Sequence, residues 1–292
     1  MALMDQTGKA QQIAAKIAAG TKASLFLDLD GTLWWAEWLP DSARAAIEKA
    51  RARGHHLYFC TGRPIGNLPA SLFALHPDGI CCSAGMDLMK EQKSMASFTM
   101  PDDLVLQVIE ILQSHGLGAA AATNEVVYED DFYAAKRTAF LERENRQEAL
   151  QRKSLNDLPK QAGIKKLYFD GDGQVALEPL LQDLDIDILY YFSHYNPLES
   201  QKSTAPSFRG ELTWSRHNKA EALQAFMKQE EDSRLALAFG DSENDLSMMA
   251  AADLAICMGN GTTQCKEAAD FISDPLDEDG LYKAFDFLGL LG

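Results

Sequence analysis

Two short apolar runs, far apart in the chain, each end in a cluster of acids, and this repetition constrains the fold more than any other feature. Residues 23–28 (ASLFLD) lead into Asp28-Leu29-Asp30-Gly31-Thr32, and residues 234–240 (RLALAFG) lead into Asp241-Ser242-Glu243-Asn244-Asp245. Unbroken apolar runs of this length read as strands buried on both faces, as in a parallel sheet covered by helices. In open α/β sheets, ligands bind beyond the carboxyl ends of the strands, so both acid clusters are expected at one edge. Carboxylates gathered there repel unless a cation lies between them. A hard, all-oxygen ligand set with room for water suits Mg²⁺ better than a soft metal.

The surrounding pattern supports such a sheet. A helix over 6–19 precedes the first strand, a helix over 43–53 stops at Gly54, and strands follow at 55–60 (HHLYFC) and 78–83. Thr61-Gly62-Arg63-Pro64 breaks the chain after the second strand, with Pro64 placed for the first turn of another helix. The rhythm resumes late: helices at 219–229, 244–251, 262–268 and 279–290 alternate with strands at 234–240, 253–258 and 270–273. Strand–helix alternation predicts a parallel sheet with right-handed crossovers. Between 85 and 210 the pattern becomes a mixture, with helices at 101–114 and 135–150 and strands at 118–122, 165–170 and 187–192. An insert of roughly 125 residues is itself the size of a small domain. The expected class is therefore α/β: a Rossmann-like parallel-sheet core from 1–84 and 211–292, with an α+β domain at 85–210 spliced into it. Residues 202–209 (KSTAPSFR) read as its linker.

Composition narrows the function. Twenty-seven Lys and Arg against 43 Asp and Glu give a net charge of −16 over 292 residues, which disfavours a nucleic-acid backbone or an anionic membrane as partner. No stretch of about 18 apolar residues is present to span a bilayer. Five scattered cysteines make no disulfide framework, and the first residues carry no apolar signal core, which points to a cytoplasmic protein.

Asp28–Thr32, Thr61-Gly62-Arg63, Lys219 and Gly240–Asp245 stand in the order of the four motifs of the haloacid dehalogenase-like phosphohydrolases, which the chain resembles. The insert's position and size resemble the type IIB cap of the Cof-type, sugar-phosphatase-like branch. Met258-Gly259-Asn260-Gly261 and Asp279-Gly280 are similar to that branch's C-terminal pattern. The resemblance implies a Mg²⁺-dependent phosphatase acting on a small phosphorylated metabolite, most often a sugar phosphate. It makes Asp28 the nucleophile that forms an aspartyl-phosphate and Asp30 the proton shuttle; Lys219 is the cation that steadies the transferring oxygens. Asp28, the Asp30 backbone carbonyl, Asp241 and Asp245 would hold the metal. Thr61, with its hydroxyl and backbone N–H near a helix N-terminus, would hold a phosphate oxygen, together with Gly62, Arg63 and Asn244. An acid at the Asp30 position favours phosphate esters, because displacing a halide needs no proton. Other readings are a phosphotransferase or phosphomutase of the same superfamily, or a phosphometabolite-binding protein without turnover. A monomer or a small homo-oligomer satisfies either.

Two stretches depart from the pattern. Ser83-Ala84-Gly85 stands where many relatives carry Asn-Gly, and Trp34, Trp35 and Trp38 follow the first motif, where relatives show smaller or polar residues. The tryptophans could floor the site entrance or wedge the cap junction. Asp170-Gly171-Asp172-Gly173 imitates a calcium loop without its remaining ligands and reads as a turn. His217 is a candidate substrate contact, as are the insert residues Tyr128, Asp130, Tyr133, Lys136 and Arg209.

Overall fold

The computed structural model describes residues 6–35, 38–144, 150–190 and 208–292. Its strands in chain order are β1 (Lys22–Leu27), β2 (His56–Cys60), β3 (Gly79–Cys82), β4 (Asp87–Lys90), β5 (Lys93–Ser97), β6 (Gly118–Ala122) and β7 (Val126–Glu129). They continue as β8 (Gln151–Ser154), β9 (Lys166–Gly171), β10 (Ile186–Tyr190), β11 (Phe208–Trp214), β12 (Arg234–Gly240), β13 (Leu254–Cys257) and β14 (Phe271–Ile272).

Eight strands form one sheet in the order β14-β13-β12-β1-β2-β3-β4-β5. The first six, through β3, pair in parallel, as the apolar runs require. Side chains alternate between the faces. Leu25 and Leu27 pack beneath the helices Gln6–Ala18, Asp41–Ala52 and Gly280–Phe287. Phe26, between them, stacks on Tyr58 at 4.8 Å on the other face, under the helices Lys219–Met227 and Leu246–Ala251. The core is thus a sheet between two helical layers, the α/β class expected.

The second sheet has six strands in the order β10-β11-β9-β6-β7-β8. Its pairs are antiparallel except β7 with β8, which the helix Asp131–Glu144 connects in parallel. Ala119, Ala121, Leu167, Phe169 and Leu212 turn toward the helix Asp102–Ser114 and form one core. Ala120, Ala122 and Tyr168 point to the opposite face.

Sheet membership crosses both expected junctions. The hairpin β4–β5 extends the core sheet to Ser97, past 84/85, and β11 keeps residues 211–214 in the second sheet, past 210/211. We propose dividing the chain by sheet membership, near 98 and 215. The hairpin was hidden because its two-residue turn, Glu91-Gln92, takes φ of 50° and 61° without the Asn-Gly that normally signals such a turn. The two sheets are tied at this point by Lys165, whose ammonium donates to Asp87 Oδ1 (2.8 Å), Ser97 Oγ (2.8 Å) and the Phe98 carbonyl (2.6 Å). His217 stacks on Phe98 at 3.8 Å and serves this junction. The linker expected at 202–209 lies, except for its last two residues, outside the described residues, as do 145–149 of the expected helix and 191–192 of the expected strand.

Candidate active site

The site follows from strand order. β1 lies between β12 and β2, and Leu27 faces Phe239. The Asp28 N–H donates to the Phe239 carbonyl at 3.0 Å, so the pairing runs one step beyond the strand. Asp28 and Asp241 therefore leave neighbouring strands at the same carboxyl edge. Gly31 makes the close approach of the two motifs feasible. Its φ is 91°, and a methyl group there would collide with the Asp241 carboxylate. The Asn260 amide donates to the Gly31 carbonyl at 2.8 Å and holds that turn.

Lys219 enters from below. Asn218 caps its helix, accepting from the N–H groups of Ala220 (2.9 Å) and Glu221 (3.1 Å), and Lys219 follows in the first turn. The ammonium is fully buried and donates to Asp28 Oδ1 at 2.5 Å, Asp245 Oδ1 at 2.6 Å and Asn244 Oδ1 at 3.2 Å. Its three donors have three acceptors. The other oxygen of Asp245 accepts from the Asp241 and Ser242 N–H groups at 3.0 and 3.2 Å, which fixes the loop as a capping box.

One carboxylate oxygen each from Asp28, Asp241 and Asp245 lie within 4.8 Å of one another. Three acids thus share one buried ammonium. Burial, opposed by Lys219 but reinforced by Asp245 and Asp30, pushes the Asp28 carboxyl up to about 7. Burial and the Asp28 and Asp245 charges likewise hold Asp241 well above its ordinary value. Burial alone would lower the Lys219 pKa, but Asp245 and Asp28 outweigh it and keep the ammonium charged. This excess of clustered, buried carboxylate over cation fits a hard divalent ion. Asp245 has both oxygens occupied by Lys219 and backbone N–H groups, so Asp28 and Asp241 are better placed to ligate.

Arg63, the Thr61 backbone and Pro64 stand differently from expectation. The Asp30 side chain, expected to shuttle protons while its carbonyl binds the metal, is held by Arg63 through Nε–Oδ2 (2.6 Å) and Nη2–Oδ1 (2.5 Å). Arg63, read as a substrate contact, is committed to that carboxylate because the loop after β2 runs beside the first motif. The backbone N–H of Thr61 is also committed, to the Cys81 carbonyl at 2.9 Å, which leaves its hydroxyl as the available donor. Nor does a helix begin at Pro64. Pro64 precedes a single 3₁₀ turn, Ile65–Asn67, and the short helix Ala70–Phe73 begins only after Pro69.

Other residues sort cleanly. Trp34 is buried in the core, donates from its indole to Asp30 Oδ1 at 3.2 Å and lies 5.5 Å from the Arg63 guanidinium, so it floors that pair. Trp38 is partly exposed. Cys60 touches Cys81, and this contact together with burial raises its thiol pKa well above the usual range, which makes it inert. Of the insert candidates, Tyr128 is buried on the far face, Asp130 binds the Ala119 and Tyr133 N–H groups, and Lys136 pairs with Asp172. Arg209 covers the Phe140 ring at 3.8 Å, and Tyr133 lies against Tyr168. The insert residues that do reach the core's Thr61-Gly62-Arg63 loop are Lys166 and Glu211, close to Gly62. Neither stands out in the sequence, where the one usable signal is a lysine heading the apolar stretch 167–169.

A family model for haloacid dehalogenase-like hydrolases matches residues 25–285, and the chain belongs to that family. YkrA of Bacillus subtilis (strain 168) is 24% identical over 273 residues, covering 91% of this chain and 98% of its own. The pyridoxal phosphate phosphatase YbhA of Escherichia coli (strain K12) is 27% identical over 266 residues, covering 86% and 93%. Among solved structures, the subclass IIB sugar phosphatase BT4131 superposes with a TM-score of 0.73 at 20% identity, covering 92% of this chain and 100% of that one. Core and cap therefore share the architecture of that subclass. Family and named relatives together place the chain among the phosphatases of this superfamily.

Proposed function

We propose that the chain hydrolyses a small phosphate monoester, a sugar phosphate, with Asp28 as nucleophile. The observation that carries this is the Asp28 carboxylate, buried at the carboxyl edge of the sheet and held at 2.5 Å by a buried ammonium. An Asp28 oxygen attacks phosphorus, the bond to the leaving oxygen breaks, and Asp30 supplies that oxygen with a proton. Water then attacks the aspartyl-phosphate, Asp30 takes a proton from it, and inorganic phosphate leaves with Asp28 restored. Lys219 restrains Asp28 and offsets its charge as phosphate approaches. The Thr61 hydroxyl and the Asn244 amide are the neutral groups that would grip phosphate oxygens. Asp28, Asp241 and the Asp30 carbonyl would hold Mg²⁺, which when bound reduces the repulsion between carboxylate and phosphate.

Cap residues over the core loop argue for a small leaving group. Besides Lys166 and Glu211, the Asn124 backbone lies against Gly66. No helix among the described residues is long and apolar enough to cross a membrane. All five cysteines are buried thiols, in keeping with the proposed cytoplasmic setting. The test is phosphate release from a panel of phosphate esters with Mg²⁺ and no added acceptor. Release supports the hydrolase; turnover only with a second sugar as acceptor would make the chain a phosphotransferase.

A further inference from the structure

Lys166 and Glu211 take no part in the chemistry above. They lie on the neighbouring strands β9 and β11 of the cap sheet, where Glu211 faces Tyr168. Lys166 Nζ donates to Glu211 Oε2 at 2.6 Å, with the two side chains 1% and 7% exposed. Both head groups stand over the core loop that follows β2. A methyl group on Gly62 would lie 3.3 Å from Glu211 Oε1, 3.5 Å from Lys166 Nζ and 3.6 Å from Asn244 Nδ2. Two cap side chains and the amide of a core residue in the Lys219 network therefore converge on one glycine.

The same cap face continues through Tyr168, whose ring centre lies 5.6 Å from the Lys166 ammonium. On the adjacent strand β6, Ala122 is beside Lys166 and Ala120 beside Tyr168. These alanines keep that part of the face shallow. An apolar pair would join β9 to β11 equally well, because the desolvation of a buried ion pair offsets most of its attraction. Stability alone therefore does not account for the pair; its position does.

The chemistry of the pair points to a ligand class. An ammonium and a carboxylate bonded to each other are neutral together, yet present donors and acceptors at fixed positions. Hydroxyl groups, each of which donates and accepts, complement that arrangement. A second anionic group on the substrate would be desolvated beside Glu211 with the Lys166 charge already compensated, and would be disfavoured. We infer that Lys166 and Glu211 select the leaving group, favouring phosphate esters of polyols over esters that carry a carboxylate.

This specificity role rests on the phosphatase reading, and the test separates the two. Wild type, Glu211→Gln and the double variant Lys166→Gln/Glu211→Gln are assayed on glycerol phosphate, phosphoglycolate and an aryl phosphate, with melting temperatures recorded. Wild type should favour glycerol phosphate over phosphoglycolate by about tenfold or more in kcat/KM. The double variant should lose about tenfold on glycerol phosphate, mainly through KM, with little change on the aryl ester. Glu211→Gln uncovers the Lys166 charge and should shift preference toward phosphoglycolate; if that variant does not fold, the amide pair of the double variant carries the comparison. A wild type that prefers phosphoglycolate, or a double variant with equal losses or none on all three esters, overturns the specificity role alone. A wild type inert on all three, the aryl ester included, overturns the phosphatase reading and this role with it.

Discussion

Arg63 grips Asp30 at both carboxylate oxygens, Nε to Oδ2 at 2.6 Å and Nη2 to Oδ1 at 2.5 Å, over the buried ring of Trp34. The residue proposed to move protons is therefore held by the loop proposed to receive phosphate. A bidentate guanidinium fixes the plane of a carboxylate as well as its position. Arg63 is thus a positioning residue for Asp30. Asp30→Asn should cost about 10² to 10⁴ in rate on alkyl phosphates and much less on aryl phosphates, whose leaving group needs little protonation. Arg63→Gln should show the same bias toward alkyl esters with a smaller loss. Parallel rates for both ester types in Arg63→Gln would sever the link between the two residues.

Asp28→Asn tests the nucleophile. The amide is nearly isosteric and keeps an oxygen for Lys219, so the fold should survive. Turnover should fall by about 10⁴-fold or more, since an amide is a poor nucleophile toward phosphorus. Phosphate release from purified variant, beside a circular dichroism melt, checks both parts. A folded variant with near-normal turnover would exclude covalent chemistry at this position.

The three clustered acids around Lys219 make cation binding a stability effect. Adding Mg²⁺ to metal-stripped protein should raise its melting temperature by about 5 °C, because an ion that binds only the folded state stabilises it. Lys219→Met leaves buried carboxylates without their ammonium and should cost about 3 to 5 kcal/mol when metal-free. Mg²⁺ should restore more stability to that variant than to wild type. Melts with and without chelator measure this, and a wild-type curve indifferent to Mg²⁺ would argue against a divalent site among these acids.

Strands β1, β2, β3, β12 and β13 were legible because each is a short apolar run with both faces buried, and parallel pairing then put Asp28 and Asp241 side by side. Lys219 was legible only by its place in the motif order, since nothing about a lysine in the first turn of a helix announces that it points into the protein. What stayed hidden depended on contacts between distant segments. The Arg63–Asp30 pair joins loops after β1 and β2, and the Lys166–Gly62 approach joins cap to core. The departure at Ser83-Ala84-Gly85 also has a local reason that composition masks. All three residues have positive φ, at 48°, 55° and 116°, a conformation for which Asn and Gly are the usual choices. Ser83→Gly should relieve that strain and remove a buried hydroxyl that has no hydrogen-bond partner among the described residues. A gain of roughly 1 kcal/mol in urea unfolding is expected.

His55 supplies a pH dependence of folding remote from the site. It is buried at the start of the second strand region, and its Nδ1 accepts from the Ala23 N–H at 3.0 Å, which requires the neutral ring. Burial, with the nearby charges of Lys22, Arg53 and Arg234, pushes its pKa down to about 4. The unfolded chain therefore binds this proton more readily than the folded one near pH 5. The stabilisation is complete above the unfolded value of about 6.5 and is lost as pH falls toward the folded value, by up to about 3 kcal/mol. His55→Asn keeps an acceptor for the Ala23 N–H but cannot titrate. Urea unfolding at pH 7.5 and pH 4.5 should show a smaller difference for the variant than for wild type. Equal differences would mean that the acid sensitivity of this fold comes from its carboxylates and that His55 contributes none of it.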